Sequence, residues 1–274
     1  MKIFIDSADI DQIRQAYSWG IVDGVTTNPS LIKAAKEKHG KQKPLSIRDY
    51  IKEILLAAGK DPVSLEVIGP GEEAMYREAL TLYETFNGSS DNVVIKIPVN
   101  PATSETPGGD FDGLKVIRRL AEQDIPVNVT LVMTPEQALL AAKAGARYVS
   151  PFAGRIDDDL RKRQGMTFGK GDYFQAEGLL DQNGEPIVHD NGVVSGVDLV
   201  EQIVTIFATY GITTKVLAAS LRNARQVREC AQAGADIGTI PFPVIEEMVR
   251  HHKTREGMKA FLADVVPEYA ALFK

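Results

Sequence analysis

The sequence predicts a single-domain α/β fold, a (β/α)8 barrel of the TIM type with extended βα loops. Short β-branched runs recur along nearly the whole chain, and longer stretches of helical periodicity separate them, the mark of repeated βα units around a parallel sheet. No segment rich in Pro, Gly and Ser divides the 274 residues, a usual length for one α/β barrel, so the domain is taken as 1–274.

The strand candidates, in order, are Lys2–Asp6, Gly24–Asn28, Val63–Val67, Asn92–Pro98, Val127–Val132, Arg147–Ser150, Lys215–Ala219 and Asp236–Ile240. Helical patterns at Gly71–Phe86, Asp112–Glu122, Pro135–Ala144 and Val197–Tyr210 lie between them. Strand side chains alternate between faces, so one set fills the barrel and the other packs under the helices. Ile3, Ile5, Leu65, Val67, Val93, Ile95, Ile97, Val127, Val129, Leu131 and Val149 are expected under the helices. The opposite parity holds Asp6, Thr26, Asn28, Ser64, Glu66, Lys96, Asn128, Thr130, Ser150 and Ser220. Barrel interiors favour bulky aliphatic layers, so a polar set near the C-terminal strand ends reads as an active site.

Lys96 sets the direction of the functional reading. It lies in the apolar run Val93-Val94-Ile95-Lys96-Ile97-Pro98, where an ammonium needs a carboxylate partner, an escape to solvent, or a chemical use. An amine drawn out of water gives up its proton more readily and can attack a ketone to form a Schiff base. A lone inward Thr or Ser is readily a satisfied core group. A lysine, an aspartate and a glutamate gathered on one parity are harder to explain without a function.

Composition limits the alternatives. A net charge of -6 argues against a broad nucleic-acid or anionic-membrane surface, leaving room only for a local anion site. Cys230, the single cysteine, cannot pair internally and sits in a helical pattern, so a buried thiol in a reducing, cytoplasmic setting is expected. The first residues run straight into a strand with no signal-peptide layout, and no apolar run has the length of a membrane span. His39, His189, His251 and His252 fall in loops or a late helix, with the adjacent pair expected on different helix faces, so no metal site is expected.

The segments Phe4-Ile5-Asp6, Gly24-Val25-Thr26-Thr27-Asn28-Pro29-Ser30-Leu31, Val94-Ile95-Lys96-Ile97-Pro98, Asn128-Val129-Thr130-Leu131 and Ser150-Pro151-Phe152-Ala153-Gly154-Arg155 resemble the transaldolase family, which includes short transaldolases and fructose-6-phosphate aldolases. The likeness extends from Met1 to at least Pro241. It implies a (β/α)8 barrel with a Schiff-base lysine on the fourth strand, the strand on which the independent count puts Lys96. It further implies a reaction without cofactor on sugar phosphates in a homo-oligomer, with Asp6 as the base at the C4 hydroxyl. Glu66 and Thr130 match a pair that positions a water and moves protons; Thr26, Asn28, Asn128 and Ser150 match the site around the dihydroxyacetone moiety. Arg155, Ser220 and Arg222 match a phosphate site, where a guanidinium fork suits phosphate oxygens. The resemblance also bears on reaction type: transaldolases carry Phe after Ser-Pro and Glu on the third strand, whereas the aldolases tend to carry Tyr and Gln. This chain has Phe152 and Glu66, which favours transfer over lysis.

The chain departs from the short family pattern at Ala35–Ser46, at Asn100–Phe111 and from Ile156 to Gly196. The last two follow the fourth and sixth strands and so are expected to reach the active-site face. Within the 156–196 segment, Asn183-Gly184 between apolar flanks signals a hairpin, with Pro186 confining one arm to an edge. A C-terminal helix is expected over 257–274, its apolar positions packing on its own barrel or on a neighbour's.

Overall fold

The computed structural model describes residues 1–39, 45–103 and 108–273; parts of the Ala35–Ser46 and Asn100–Phe111 segments lie outside the described residues. Eight parallel strands pair in sequence order into a closed barrel: β1 (Lys2–Asp6), β2 (Val25–Thr26), β3 (Val63–Glu66), β4 (Val93–Pro98), β5 (Val127–Val132), β6 (Tyr148–Pro151), β7 (Lys215–Ala218) and β8 (Ile237–Pro241). Around them lie α1 (Ile10–Ser18), α2 (Pro29–His39), α3 (Ile47–Ala58), α4 (Glu72–Ser90), α5 (Asp112–Ala121), α6 (Pro135–Ala144), α7 (Ala153–Arg163), α8 (Gly196–Thr209), α9 (Ala224–Gln232) and α10 (Phe242–Met248). α11 (His252–Ala263) and α12 (Pro267–Ala270) follow, with a last 3-10 turn at Ala271–Phe273.

Local chemistry starts and stops these helices. Asp9, Ser46, Ser195 and Asn223 each accept a backbone N–H at the start of α1, α3, α8 and α9. α6 opens on a full capping box, Thr134 with Gln137, with Pro135 in the first turn, and ends at Gly145 with φ +104°. α4 runs one turn past the predicted Phe86, because Gly88 is tolerated inside it and the left-handed Asp91 terminates it. β2 is shorter than predicted, since Asn28 turns away to cap α2, accepting the Leu31 N–H at 2.9 Å.

Packing follows the expected parity with one correction. Ile5, Leu65, Val67, Val93, Ile95, Ile97, Val127, Val129 and Val149 lie in the large cluster between strands and helices. Leu131 does not. The ladder between β5 and β6 shifts register between Val129 and Val132, Leu131 takes φ +59°, and Val132 fills the place under the helices. Inside the barrel a second, smaller cluster of Phe4, Val94, Tyr148, Leu217 and Ile237 plugs the end from which the strands start, with the Phe4 and Tyr148 rings edge to face at 6.2 Å.

Three further elements bear on the site. α7 begins directly after β6 and carries Ile156–Arg163 as helix, so the irregular stretch that follows spans 164–195. Its buried Phe174, Val188 and Val193 join the main core, and Arg161 holds it by donating to Tyr173 O at 2.6 Å. The Asn183-Gly184 turn is there as a short hairpin with a single antiparallel bridge, Leu180 to Pro186. His251 and His252 do not diverge on one helix as expected: His251 is the residue capping α11, and the two exposed rings stack at 4.6 Å. Along α11, α12 and the last turn, Phe261, Leu262, Val266 and Leu272 are exposed.

Candidate active site

The strand ends converge on a cavity of about 130 Å³ lined by Asp6, Thr26, Asn28, Lys96, Ser150, Phe152, Arg155, Ala219, Ser220 and Thr239. Strand register explains the convergence. Glu66 on β3 is aligned with Lys96 on β4, Lys96 with Asn128 on β5, and Asp6 on β1 with Thr26 on β2, so each polar side chain has its neighbours at the same height.

Lys96 is 5% exposed, and its Nζ lies 3.2 Å from Glu66 Oε2 while donating to Thr27 O at 3.3 Å. The lysine therefore has a carboxylate partner and also faces the cavity. Across the cavity, burial raises the Asp6 carboxyl above its ordinary range, opposed by the Lys96 charge and by the Thr26 hydroxyl, which donates to Asp6 Oδ1 at 2.8 Å. Thr26 Oγ1 also meets Thr239 Oγ1, so a short hydroxyl chain from β8 ends on Asp6.

Asn128 lies beneath the cavity, fully buried. Its Oδ1 accepts from Ser150 Oγ at 2.7 Å and its Nδ2 donates to Ser64 Oγ at 3.1 Å, which fixes which end of the amide faces which strand. The Thr130 hydroxyl is buried with no hydrogen-bond partner, and such an orphan calls for a water or a ligand.

The far rim is built by β6, α7 and the turn after β7. Arg155 is exposed, its guanidinium 5.2 Å from the Phe152 ring centre. Ser220 takes φ +60° and turns the chain so that Arg222 lies against Gly154; a Cβ at Gly154 would meet Arg222 Nε and Ser220 O at 2.2 Å. Arg222 Nη2 pairs with Asp158 Oδ2 at 2.5 Å, while its buried Nε has no partner.

Of the residues singled out from sequence, Asp6, Thr26, Asn28, Lys96, Ser150, Phe152, Arg155 and Ser220 line the cavity. Glu66 touches it through Lys96, and Asn128 through Ser150. Thr130 and Arg222 are not among the lining residues. Thr239 was missed, although it shares the inward parity of β8 with Ile237. Asp157 was missed as well: it is fully buried at the heart of α7, and burial pushes its carboxyl up to about 7. Cys230 is buried, with its thiol pushed up to about 12 by burial, as an inert core residue would be. Among the described residues no cluster of three or more His, Cys, Asp or Glu side chains is arranged to hold a metal ion, and no helix is long and apolar enough to cross a membrane.

A family model described as Transaldolase/Fructose-6-phosphate aldolase matches residues 3–273. The chain belongs to this family. A protein of Desulfatibacillum aliphaticivorans named "Probable transaldolase" is 43% identical over 264 residues, covering 96% of this chain and 97% of that one. Proteins of the same name from Aquifex aeolicus and Thermoplasma acidophilum are each 41% identical, covering 98% and 96% of this chain and 99% and 95% of their own. Among solved structures, a lactate oxidase of Pediococcus acidilactici superposes with a TM-score of 0.51 at 16% identity, over 89% of this chain and 63% of that one, a likeness of barrel fold alone.

Proposed function

We propose that this family member is a class I transaldolase that moves a dihydroxyacetone unit from a ketose phosphate, of the fructose 6-phosphate or sedoheptulose 7-phosphate type, to an aldose phosphate. The observation that carries the reading is a buried lysine amine facing a small polar cavity with a carboxylate on either side, Asp6 and Glu66. Lys96 Nζ adds to the ketose C2 carbonyl; loss of water leaves an iminium. Asp6 takes the C4 hydroxyl proton, the C3–C4 bond breaks, the aldose leaves, and the bond's electron pair is held as the enamine. A new aldehyde then meets the enamine carbon, and hydrolysis frees Lys96. Glu66 relays protons in forming and breaking the carbinolamine, with a water on the otherwise orphaned Thr130 hydroxyl. Thr26, Asn28, Asn128 and Ser150 serve the dihydroxyacetone unit, and Arg155, Ser220 and Arg222 the phosphate. The iminium formed on Lys96 supplies the electron sink, so the reading calls for no metal or organic cofactor.

Transfer is favoured over a fructose-6-phosphate aldolase-type lysis because Phe152 brings no hydroxyl to activate water beside the enamine. A sulfonated or otherwise unusual ketose is the alternative donor. The apolar residues exposed along α11 and α12 support a homo-oligomer in which the C-terminal segment packs on a neighbour's barrel. The single buried cysteine suits the cytoplasm, where the proposed reaction would serve the pentose phosphate pathway.

Borohydride reduction during turnover of fructose 6-phosphate, followed by mass spectrometry, should place one reduced adduct on Lys96. Lys96→Arg should lose both adduct and turnover while staying folded; an adduct that persists elsewhere would sink the assignment. Phe152→Tyr should raise release of free dihydroxyacetone and lower transfer to erythrose 4-phosphate. A wild-type enzyme that lyses faster than it transfers, with the ratio unchanged in that variant, would favour the aldolase reading.

A further inference from the structure

The backbone N–H of Arg222 donates at 2.8 Å to Oε1 of Gln226, which is fully buried in the first turn of α9. The other end of the same amide, Nε2, donates at 2.9 Å to Asp157 Oδ2 on α7. Asp157 Oδ1 accepts the N–H of Gly196 at 2.8 Å, where α8 begins. Gly196 has no room for a side chain, since a Cβ there would lie 2.1 Å from Ala153 O. The result is a buried chain of hydrogen bonds running from the start of α8 through α7 to the turn that carries Arg222.

The direction of this chain is chemically determined. Gly196 N–H and Arg222 N–H are both donors, so the side chains between them must accept at each outer end. A carboxylate followed by an amide does this, and the amide is then held in one of its two orientations. We propose that Asp157 is a positioning residue for the phosphate end of the substrate: by orienting the Gln226 amide it holds the Ser220–Asn223 turn so that the Arg222 guanidinium presents to the phosphate. This rests on the reading of Arg222 as a phosphate ligand. The Nε of Arg222 is packed against Gly154 without a hydrogen-bond partner, so no protein acceptor fixes that edge of the guanidinium. The guanidinium itself is held by its ion pair with Asp158.

Asp157→Asn keeps size and shape but reverses the chain. The oxygen of the introduced amide must accept Gly196 N–H, so its NH2 faces Gln226; Gln226 must then turn its oxygen toward α7 and its NH2 toward Arg222 N–H. Two buried donors meet and the turn yields. Combining Asp157→Asn with Gln226→Glu restores the order, since the glutamate accepts from both sides.

The test is steady-state kinetics on fructose 6-phosphate and on unphosphorylated fructose for four proteins: wild type, Asp157→Asn, the Asp157→Asn/Gln226→Glu pair, and Arg222→Ala. Asp157→Asn should raise KM for fructose 6-phosphate by about tenfold or more, leave the constants for fructose unchanged, and weaken competitive inhibition by inorganic phosphate in parallel. The pair should recover most of that loss. Equal damage to both substrates, or no recovery in the pair, would make Asp157 a structural residue only and overturn the proposal while the phosphate-site reading stands. If Arg222→Ala itself affects both substrates alike, the reading of Arg222 fails and the proposal falls with it. Should Asp157→Asn not fold alone, the folded pair still decides: it must retain near-wild-type selectivity for the phosphorylated ketose.

Discussion

Phe4 and Asp6 stand two residues apart on β1 and share a parity, yet their surroundings have little in common. Phe4 belongs to the apolar plug with Val94, Tyr148, Leu217 and Ile237, and Asp6 to the polar cavity with Lys96, Thr26 and Ser150. The same step recurs from Val94 to Lys96 on β4 and from Tyr148 to Ser150 on β6. Two residues of strand, a rise of about 6–7 Å, separate packing from chemistry. Cavity size does not tell the ends apart: a hollow of about 900 Å³ opens at the plugged end, lined by Lys2, Phe4, Arg147, Lys215 and Asp236 among others, far larger than the 130 Å³ cavity. What distinguishes the small cavity is that a buried amine and carboxylates converge there, and that burial raises the Asp6 carboxyl above its ordinary range.

If this division is real, emptying the polar end of its charges should remove activity without unfolding the barrel. Lys96→Met combined with Glu66→Leu replaces the 3.2 Å ion pair by apolar groups of similar size. Turnover and borohydride labelling should vanish completely. Stability should hold or rise, by up to about 4 kcal/mol, because a buried pair seldom recovers its desolvation cost. Urea unfolding reads this out, and a loss above about 2 kcal/mol would mean that the pair holds the fold and that the two ends are not separate in role.

The converse change is Phe4→Ala at the plugged end. Phe4 is 1% exposed, and its ring also packs where a Cβ at Gly24 would come within 2.6 Å. Truncation should cost about 3–5 kcal/mol of stability. At a temperature where the variant is folded, KM and the rate of borohydride labelling should stay near wild type. A loss of labelling in proportion to stability would show that the plug positions Lys96 and would blur the comparison.

Both ends were legible in the sequence to different depths. Alternation located the strands and the polar parity, and Lys96 stood out because an ammonium among Val and Ile residues is physically anomalous. Alternation failed at Leu131, since a register shift obeys no period and one left-handed residue passed the place under the helices to Val132. Thr239 was overlooked because a single threonine between Gly238 and Ile240 carries no charge; its place opposite Thr26 depends on β8 closing against β1. Asp157 and Gln226 are 69 residues apart and read locally as ordinary helix residues. Only the closed barrel, which brings α7 and the first turn of α9 within hydrogen-bond reach, turns them into one chain. The stacking of His251 on His252 was hidden for a related reason, because it hangs on which of the two caps α11.

The smallest expected effect probes the polar end from within. Thr26 donates to Asp6 Oδ1, and this bond, with the Lys96 charge, works against the burial that raises the Asp6 carboxyl. Thr26→Val removes the bond and keeps the shape, so the carboxyl should rise further. A hydrogen bond to a charged group is worth about 1.5–3 kcal/mol, equivalent to roughly 1–2 pH units. In the proposed mechanism Asp6 acts as the base and so must be ionised, which means that the acid limb of kcat/KM should move to higher pH by up to that amount, with the alkaline side unchanged. The stability sign is set by the same proton. A carboxyl whose pKa is raised on folding binds its proton more tightly in the native state, so its contribution is present at low pH and is lost as pH rises through the raised value. Thr26→Val should extend that loss to higher pH, and the gap in Tm from wild type should widen with pH before levelling off. Thr239→Val should move the limb in the same direction but less, because Thr239 donates to Thr26 and so strengthens Thr26 as a donor to Asp6. An acid limb that stays in place in Thr26→Val would take Asp6 out of the role of base and leave the polar end without its second reactive group.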